Sequence, residues 1–586
     1  MPRPAYRDPW SATEQRVDDL LARLTLPEKA GLLFHAIAVL GDVDAEHPEL
    51  GAPSLRSLIE DRHLTHFNVL GTARTGAELA RWSNSVQEVA RGTRLGVPVT
   101  LSSDPRHAFT RNPGTGQQTA AFSQWPEPLG LAALRERAVT AVFAQAVREE
   151  YLATGLRVAL HPQLDVATEP RWARVAGTFG EDAALVARLG AAYVRGLQGP
   201  VLGPGSVAAM IKHFPGGGPQ QDGEDPHFAY GKEQVYPGGM FEHHLRPFEV
   251  ALAAGASQVM PYYGVPVGTE HEEVAFAFNR SVLTGLLRER LGFDGIVCTD
   301  WGVLTDGEIL GTPMPAQAWG VEHLSLPDRV LRALDAGVDQ FGGESCPEVV
   351  VELVRSGRLA EERVDVSARR LLREKVVLGL LDDPLVDVAR ASRVVGSPRL
   401  RAAGLAAQRA SLTVLTRGAV GSPARLPLDA GARVHSQGID PGVLARYARP
   451  ADVPADADVA VVRLTAPYED RGPGFEGLFH AGSLEFGPEV LEPLRALCAE
   501  VPTVVVVHLD RPAVLTPVVA VAAAVLVDYG AGDDAVLDVV FGRAAPHGRL
   551  PCDLPRSGAA VAASRADVPF DTERPLFRAG HGLVLD

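Results

Sequence analysis

Cysteine is scarce in this sequence, and its few thiols lie far apart. Zinc sites and disulfide frameworks depend on cysteines that recur at short, characteristic spacings. The 586 residues contain four cysteines with no C-x-x-C pair: Cys298, Cys346, Cys498 and Cys552. His243 and His244 do not make a metal site either, because adjacent residues of a helix do not share a face. We therefore expect free thiols and no bound metal.

Basic stripes and long apolar runs are also lacking. The formal net charge is −16, and no cluster of lysine and arginine is present, which argues against binding of nucleic acid. No apolar run approaches the roughly 20 residues that span a bilayer, so we expect no membrane partner. Residues 1–21 lack the basic start, apolar stretch and cleavage site of a secretory signal. We expect a cytoplasmic protein; whether it forms a homodimer stays open.

Motifs for nucleotide binding are missing as well. No G-x-G-x-x-G follows a predicted strand in the second half of the chain, and no Walker lysine loop occurs. Such loops hold phosphate groups with backbone N–H groups at a helix N-terminus. The sequence therefore predicts a protein that works without a nucleotide, and we expect no cofactor.

The first part of the chain alternates short apolar runs with helical patterns. Seven runs end in polar or aromatic residues and lie mostly about 30–50 residues apart, a rhythm typical of βα units. So many units in succession favour a (β/α)8 barrel, although an open doubly wound sheet has a similar rhythm. An eighth strand is not evident. The predicted strands cover residues 66–70, 97–104, 156–167, 207–214, 257–263, 295–300 and 336–343.

The chain is predicted to form two α/β domains. A barrel domain is assigned to residues 1–382, with an amphipathic helix over residues 12–33. Residues 383–398 contain prolines and broken periodicity, as expected of an interdomain linker. Residues 399–586 contain four more apolar runs between helical patterns, which predict a smaller sheet flanked by helices. These runs cover residues 411–416, 457–465, 503–509 and 522–530.

Polar side chains follow the predicted barrel strands at the points where the strands end. In α/β barrels the active site lies at the carboxyl ends of the strands, so we expect these side chains to converge. Carboxylates and cationic donors together satisfy the hydroxyl groups of a polyhydroxylated ligand, and an indole offers a flat surface for a sugar ring. The candidate site residues at these strand ends are Asp104, Arg171, Trp172, Arg174, Lys212, His213, Tyr262 and Asp300, with Trp301 beside Asp300.

Each candidate also has an ordinary structural explanation. Asp300 could cap the next helix, and Arg174 could form an ion pair at a helix start. Two other functions also use some of these residues. Lys212 could form a Schiff base in a barrel lyase, and a catalytically inactive sugar-binding protein would keep the same pocket. The joint occurrence of these residues at successive strand ends favours a site that binds and cleaves a sugar.

Several segments of the chain resemble a known family. They are VDDLLARLTLPEKAGLL, EPRWARVAGTFGED, IKHFPGGGPQQDGEDPH and GFDGIVCTDWG, followed by APHGRLPCDLP and FRAGHGLVLD. In this order they are similar to glycoside hydrolase family 3, the family of retaining β-glucosidases and β-xylosidases. The resemblance implies a barrel followed by a six-stranded α/β/α sandwich, with the active site in the cleft between them.

The resemblance implies roles for individual residues. Asp300 matches the catalytic nucleophile, and Trp301 matches the aromatic wall beside it. The residues that match binders of the first sugar are Asp104, Arg174, Lys212, His213 and Tyr262.

The chain departs from the family pattern in two places. Gly216-Gly217-Gly218 replaces the loop whose histidine is the acid/base in N-acetylglucosaminidases, which favours a glucosidase. SDPRHAF stands where D-x-x-H-G is expected, which makes the contact of Asp104 with the sugar less defined.

The resemblance places the acid/base in the second domain, on a loop after a strand. Residues 461–487 contain Glu469, Glu476 and Glu485. Glu469 is preferred to Glu476 because it directly follows the predicted strand, in a Pro-Tyr-Glu context. The expected activity is exo-acting release of terminal β-linked glucose with retention of configuration. A β-xylosidase with the same mechanism is the alternative.

Overall fold

The structure is a computed structural model, and it describes residues 4–47, 53–110, 112, 114–117 and 119–585. Parallel strands form the centre of the first domain, and most of their residues are buried, as expected for a sheet covered by helices. The strands of this domain, which include the short pairs β6–β8 and β10–β11 outside the central sheet, are β1 (Phe34–Val39), β2 (His66–Leu70), β3 (Thr100–Ser103), β4 (Leu156–Ala159), β5 (Ala208–Phe214), β6 (Glu233–Val235), β7 (Gln258–Pro261), β8 (Val265–Val267), β9 (Ile296–Val297), β10 (Gly307–Ile309), β11 (Thr312–Met314) and β12 (Phe341–Gly342).

Eight of these strands close into a barrel. Their order is β12-β1-β2-β3-β4-β5-β7-β9, and every neighbouring pair is parallel. The two ends of the sheet meet where Cys298, after β9, bridges Gln340, before β12. There the Thr299 N–H donates to the carbonyl of Gln340 at 2.9 Å. The predicted (β/α)8 barrel is confirmed, and the open-sheet alternative is wrong for this domain.

Helices surround the barrel. None of the described helices is long and apolar enough to cross a membrane. A π-helix, Ser281–Arg290, lies between β8 and β9. The α-helices are α1 (Thr13–Leu21), α2 (Leu26–Leu32), α3 (Leu55–Glu60), α4 (Gly76–Arg91), α5 (Pro128–Leu134), α6 (Arg137–Thr154), α7 (Ala183–Gln198), α8 (Phe241–Ala253), α9 (Leu326–Ala336), α10 (Pro347–Arg355), α11 (Glu361–Val377) and α12 (Val388–Val394).

One prediction for the start of the chain is wrong, and one strand there was missed. The single helix expected over residues 12–33 is two helices, because Thr25 and Glu28 form a capping box and Pro27 lies in the first turn of α2. The eighth barrel strand, missing from the prediction, is β1. It begins two residues after α2 ends, so the apolar residues of helix and strand run together without a turn signal.

The strands of the second domain are β13 (Thr413–Thr416), β14 (Arg433–Gln437), β15 (Arg449–Pro450), β16 (Val459–Thr465), β17 (Thr503–His508) and β18 (Ala524–Asp528). They form one sheet in the order β13-β18-β17-β16-β14-β15, parallel except for the β13–β18 pair. Four strands match the predicted runs, whereas β14 and β15 were missed because one is mostly polar and the other has two residues. The helices are α13 (Pro398–Ser411), α14 (Pro441–Leu444), α15 (Pro488–Glu500), α16 (Thr516–Val519), α17 (Asp533–Val540) and α18 (Gly558–Ala563).

The second domain packs against loops at the carboxyl end of the barrel. The Glu127 N–H, in the loop after β3, donates to the Tyr529 carbonyl at 2.8 Å. The Glu181 carboxylate, in the loop after β4, accepts the N–H groups of Asp553 at 2.5 Å and Phe570 at 2.8 Å. Burial of Glu181 raises its pKa to about 8. The second domain therefore lies beside the end of the barrel where active sites are built.

The segment predicted as a linker runs along the barrel surface. Its helix α12 buries Ala391 against Ala80 of α4 and Ala153 of α6. The Gly396 N–H then donates to Oε1 of Glu150 at 2.7 Å. The segment is thus fixed by packing and hydrogen bonding, while its exact limits at residues 383 and 398 remain a prediction.

The three glycines after β5 are required by close approach of the backbone. A Cβ on Gly217 would lie 2.7 Å from the ring of Tyr262, and one on Gly218 would lie 1.7 Å from the carbonyl oxygen of Val166. Gly216 has a φ of +130°, which side-chain-bearing residues rarely adopt. The loop can therefore lie in direct contact with Tyr262 and with the backbone that follows β4.

Gly218→Ala should destabilise the barrel, because the added methyl group overlaps backbone that cannot move aside. We expect the free energy of unfolding to fall by about 3 kcal/mol or more, the upper range for overpacking. Urea unfolding followed by circular dichroism measures this change. Gly285→Ala is the control, since nothing lies within 4 Å of its Cβ. It lies in a helix and should be neutral or stabilising by up to about 1 kcal/mol. Equal stability of the two variants would contradict the close approach at Gly218.

Candidate active site

Asp300 lies three residues after β9, at the carboxyl end of the barrel, with 8% of its surface exposed. Its Oδ1 accepts the N–H of Trp301 at 2.8 Å. Its Oδ2 is buried and accepts no hydrogen bond from the residues that the structure describes. Nε2 of His213 lies 3.7 Å from this oxygen. One carboxylate oxygen is thus held in place, and the other remains open to a reacting atom.

Asp104 and Lys212 form a buried ion pair at the ends of β3 and β5. The lysine Nζ lies 2.8 Å from Oδ1 of Asp104, and the Asn68 amide donates to Oδ2 at 3.2 Å. Each charge faces a partner of opposite sign, which offsets the loss of contact with water. Such a pair presents an acceptor and a donor together, as adjacent sugar hydroxyls require.

The imidazole of His213 lies between the carboxylate of Asp165 and the guanidinium of Arg174. Its Nδ1 lies 2.7 Å from Oδ2 of Asp165, and its Nε2 lies 3.4 Å from Nη2 of Arg174. Burial lowers the pKa of His213 well below its usual value, so the ring is neutral. The Nδ1–H therefore donates to Asp165, and the Nε2 lone pair faces the Arg174 guanidinium. Burial raises the pKa of Asp165 to about 6, against the opposing effect of N–H donors from Gly217 and His213.

Asp225 links Tyr262 to the loop after β5. Its Oδ2 accepts the Tyr262 hydroxyl at 3.2 Å and the Trp172 indole N–H at 3.1 Å. Its Oδ1 lies 2.5 Å from Nδ1 of His227. Burial alone would raise the pKa of Asp225, but His227 and Arg174 lower it to about 2. Tyr262 is buried, and its ring packs 4.3 Å from that of His213.

Trp301 is fixed beside Asp300. Its carbonyl accepts the Tyr263 hydroxyl at 2.7 Å, and its ring lies 5.4 Å from the ring of His35 inside the barrel. Gly342, the last residue of β12, and Gly343 lie against the indole, where a Cβ on either would lie 2.7 Å from a ring atom. The indole is only partly buried, so one part of it is available to a ligand.

A loop of the second domain, residues 466–486, covers part of the barrel end. Phe479 packs 4.9 Å from His227, measured between ring centroids. Arg471 forms an ion pair with Glu224, with its two Nη atoms 2.6 and 2.7 Å from the carboxylate oxygens. Glu224 and His227 flank Asp225, so loop 466–486 contacts the segment that orients Tyr262.

The three glutamates of this region have different surroundings. Glu469 accepts the Ser483 N–H at 3.0 Å, and its side chain is 57% exposed. Glu476 accepts the Tyr230 hydroxyl at 2.5 Å. Glu485 accepts the Gly558 N–H at 2.8 Å, at the N-terminus of α18. Glu469 therefore has the most exposed carboxylate next to the cleft, and Glu485 is engaged elsewhere.

The structure brings the candidates of the barrel together and adds residues that the sequence reasoning missed. Asn68 and Asp165 lie in or after predicted strands, so the strand-end argument could have included them. Asp225 lies in an irregular loop eleven residues after β5, where no periodic pattern marks it. Among the described residues, no group of three or more His, Cys, Asp or Glu side chains could hold a metal ion.

The geometry fits a site for a polyhydroxylated ligand next to a reactive carboxylate. Asp104, Asp165 and Asp225 are each held by donors, whereas Asp300 keeps an open oxygen. A neutral imidazole, two cations and several carboxylates offer hydrogen bonds of both kinds. An ionised carboxylate with an open oxygen is the group that nucleophilic catalysis at a sugar carbon uses.

The chain is similar in sequence or in fold to proteins named as beta-glucosidases. Beta-glucosidase C of Emericella nidulans is 50% identical over 585 residues, covering 100% of this chain and 94% of that protein. The periplasmic beta-glucosidase/beta-xylosidase of Dickeya chrysanthemi is 37% identical, covering 99% of this chain and 91% of that protein. The crystal structure of a beta-glucosidase from Listeria innocua in complex with isofagomine shares the fold, with a TM-score of 0.77, 21% identity and coverage of 97% of this chain and 83% of that one.

Two family models match the chain. The glycosyl hydrolase family 3 N-terminal domain matches residues 44–374, and the glycosyl hydrolase family 3 C-terminal domain matches residues 281–584. The predicted resemblance is therefore confirmed. The chain belongs to glycosyl hydrolase family 3.

Proposed function

We propose that this chain is a retaining, exo-acting β-glucosidase that releases terminal β-linked glucose from oligosaccharides or small glycosides. The observation that supports the proposal most directly is the open Oδ2 of Asp300. Every neighbouring carboxylate of the site is held by donors, so Asp300 is the one with an oxygen free to attack an anomeric carbon. The names of the relatives support glucose as the sugar that is released.

The proposed reaction is a double displacement. Asp300 attacks the anomeric carbon while Glu469 gives a proton to the leaving oxygen, so the glycosidic bond breaks and a glycosyl ester forms. Glu469 then takes a proton from water, whose oxygen attacks the same carbon and releases Asp300. Two inversions at one carbon retain its configuration. This mechanism requires the two carboxyl groups to lie about 5–5.5 Å apart, across the cleft.

Binding of the first sugar is assigned to the polar side chains beside Asp300. The Asp104–Lys212 pair and the His213–Arg174 pair offer acceptors and donors to ring hydroxyls. Such contacts strengthen as positive charge develops on the sugar, which stabilises the transition state more than the substrate. The ring of Tyr262 packs against the ring of His213, and its hydroxyl donates to Asp225. Trp301 supplies the apolar wall.

Glu469 is preferred to Glu476 as acid/base on its surroundings. An acid must be free to reach the leaving oxygen, and the Glu469 side chain is 57% exposed. Arg471 lies near both carboxylates, 3.8 Å from Glu476 and 4.0 Å from Glu469, but Glu476 also accepts the Tyr230 hydroxyl at 2.5 Å. Its carboxylate is therefore occupied in joining loop 466–486 to the barrel.

Three alternatives to a β-glucosidase remain. Two are less well supported, and the third differs only in the sugar that is released. A Schiff-base lyase needs an unpaired amine, but the Lys212 ammonium is paired with Asp104 at 2.8 Å. An inactive sugar-binding protein has no use for the open oxygen of Asp300. A β-xylosidase with the same mechanism is the second candidate, because the Dickeya chrysanthemi relative is named for both activities.

Asp300→Asn should abolish turnover without unfolding the protein. The amide cannot form the glycosyl ester, and we expect kcat to fall by more than about 10⁴-fold, the scale on which loss of a nucleophile is felt. Turnover of p-nitrophenyl β-glucoside and circular dichroism are the measurements. In the unmodified protein, a 2-deoxy-2-fluoroglucoside should label the Asp300 peptide in mass spectrometry. A label on any other side chain would disprove the assignment.

Glu469→Ala should slow the enzyme in proportion to how poorly the aglycone leaves. We expect kcat/KM for phenyl β-glucoside to fall about 10²–10⁴-fold, the usual contribution of a general acid, with a much smaller effect on the 2,4-dinitrophenyl glucoside. Azide should restore part of the turnover of the latter by replacing activated water. Glu476→Ala is the matched control and should lack this pattern. If Glu476→Ala shows it and Glu469→Ala does not, Glu476 is the acid/base.

A panel of p-nitrophenyl glycosides tests the choice of sugar. Glucose has a hydroxymethyl group that xylose lacks, and contacts of this size change kcat/KM by about 10–200-fold. We expect the β-glucoside to exceed the β-xyloside by at least about tenfold in kcat/KM. A β-xyloside preference would favour the second candidate.

A further inference from the structure

Arg511 is a buried cation that joins the two domains without an acidic partner. It follows β17, its side chain is 1% exposed, and no salt bridge to it is found in the described part of the chain. Its guanidinium instead donates to five backbone carbonyls. They are those of Arg171 (2.8 Å), Gly482 (3.0 Å), Pro467 (2.7 Å), Ala481 (2.9 Å) and Ser483 (3.1 Å).

Four of these carbonyls lie on either side of Glu469. The Glu469 N–H donates to the carbonyl of Ala481 at 3.0 Å, and its Oε1 accepts the Ser483 N–H at 3.0 Å. The side chain lies over Gly482, where a Cβ would be 2.2 Å from the Glu469 carboxyl carbon. Arg511 therefore binds both backbone segments that meet at the Glu469–Ala481 bridge, and these segments determine where the Glu469 carboxylate points.

The fifth carbonyl belongs to the barrel. Arg171 pairs with Glu169 and is three residues before Arg174, which faces His213. The guanidinium thus connects the turn around Glu469 to the segment of the barrel that supplies a sugar-binding side chain. Because five hydrogen bonds converge on one planar group, neither side can shift without breaking several of them.

Burial of the Arg511 guanidinium costs free energy of folding, because the charge loses its contact with water. Burial lowers the pKa of Arg511 to about 10, so it remains charged near pH 7. No carboxylate forms an ion pair with it in the described part of the chain, so its charge is stabilised by the carbonyl dipoles around it and, at longer range, by the carboxylates of Asp510, Glu469 and Glu169. A neutral apolar side chain would fill the space at lower cost, but it would leave the carbonyls without donors.

We propose that Arg511 is a positioning residue for the acid/base, which sets the height and direction of the Glu469 carboxylate above the nucleophile. The inference rests on the proposed function, since it takes Glu469 as the proton donor. Displacement of a catalytic group by about 1 Å can reduce the rate about 10²-fold. Loss of Arg511 should therefore weaken proton donation selectively, and leave attack by Asp300 largely intact.

The test is the dependence of kcat/KM on the leaving group in Arg511→Met. For phenyl β-glucoside we expect a fall of about 10²-fold. For 2,4-dinitrophenyl β-glucoside, whose departure needs little protonation, we expect a fall of less than about fivefold. Arg511→Lys keeps the charge with fewer donors and should show the same pattern with a smaller loss. It also serves as the test if Arg511→Met does not fold.

Arg157→Met is the matched control. Arg157 is likewise buried and donates to the carbonyls of Pro204, Ser206 and Leu378 at 3.0, 3.3 and 2.7 Å. It lies at the start of β4, at the end of the barrel opposite the site. Its replacement should lower the unfolding temperature as Arg511→Met does, and it should leave the ratio of the two substrates unchanged.

The outcomes separate this inference from the proposed function. In the Glu469→Ala background, Arg511→Met should cause no further loss on phenyl β-glucoside. If Glu469→Ala shows leaving-group dependence and both Arg511 variants lose activity equally on the two substrates, Arg511 is only structural and the inference is wrong. If Glu469→Ala lacks leaving-group dependence, the assignment of the acid/base itself is wrong.

Discussion

Burial of charge at the barrel mouth is the constraint on which the site depends. Asp104, Asp165 and Asp225 are all removed from water, and each is stable there only because a cation, an imidazole or several N–H groups face it. These partners also fix the orientation of the side chains before a sugar arrives, which is the condition for electrostatic stabilisation without reorganisation. Asp300 differs from these three carboxylates because its Oδ2 has no hydrogen-bond partner among the described residues, and this oxygen is available to react.

The site is shared between two folding units that are packed as one. Leu131 of the barrel domain and Val505 and Tyr529 of the second domain belong to a single hydrophobic cluster. Apolar burial of this kind stabilises the interface, while the hydrogen bonds of Glu181 and Arg511 fix its register. Proton donation and nucleophilic attack are therefore assigned to groups whose separation is determined by tertiary packing.

Much of the fold could be predicted from the sequence because buried parallel strands are continuous apolar runs with polar ends. Lys212 and Asp300 were found by that rule. It failed for β1, where helix and strand share one apolar run, and for β15, which has two residues. Asp225 and Arg511 could not be found at all. Their role depends on contacts with residues far away in the chain, and neither a strand end nor a periodic pattern marks them.

The hydrogen bonds from Arg511 to loop 466–486 use backbone carbonyls, so they do not depend on which side chains the loop carries. A carbonyl oxygen is present at every position, so replacements at Pro467, Ala481 or Ser483 keep the acceptors that the guanidinium needs. The backbone shape of the loop and its outward-facing chemistry can therefore change independently of each other. Substitutions at these three positions therefore change the surface of the loop and keep the hydrogen bonds that hold its backbone.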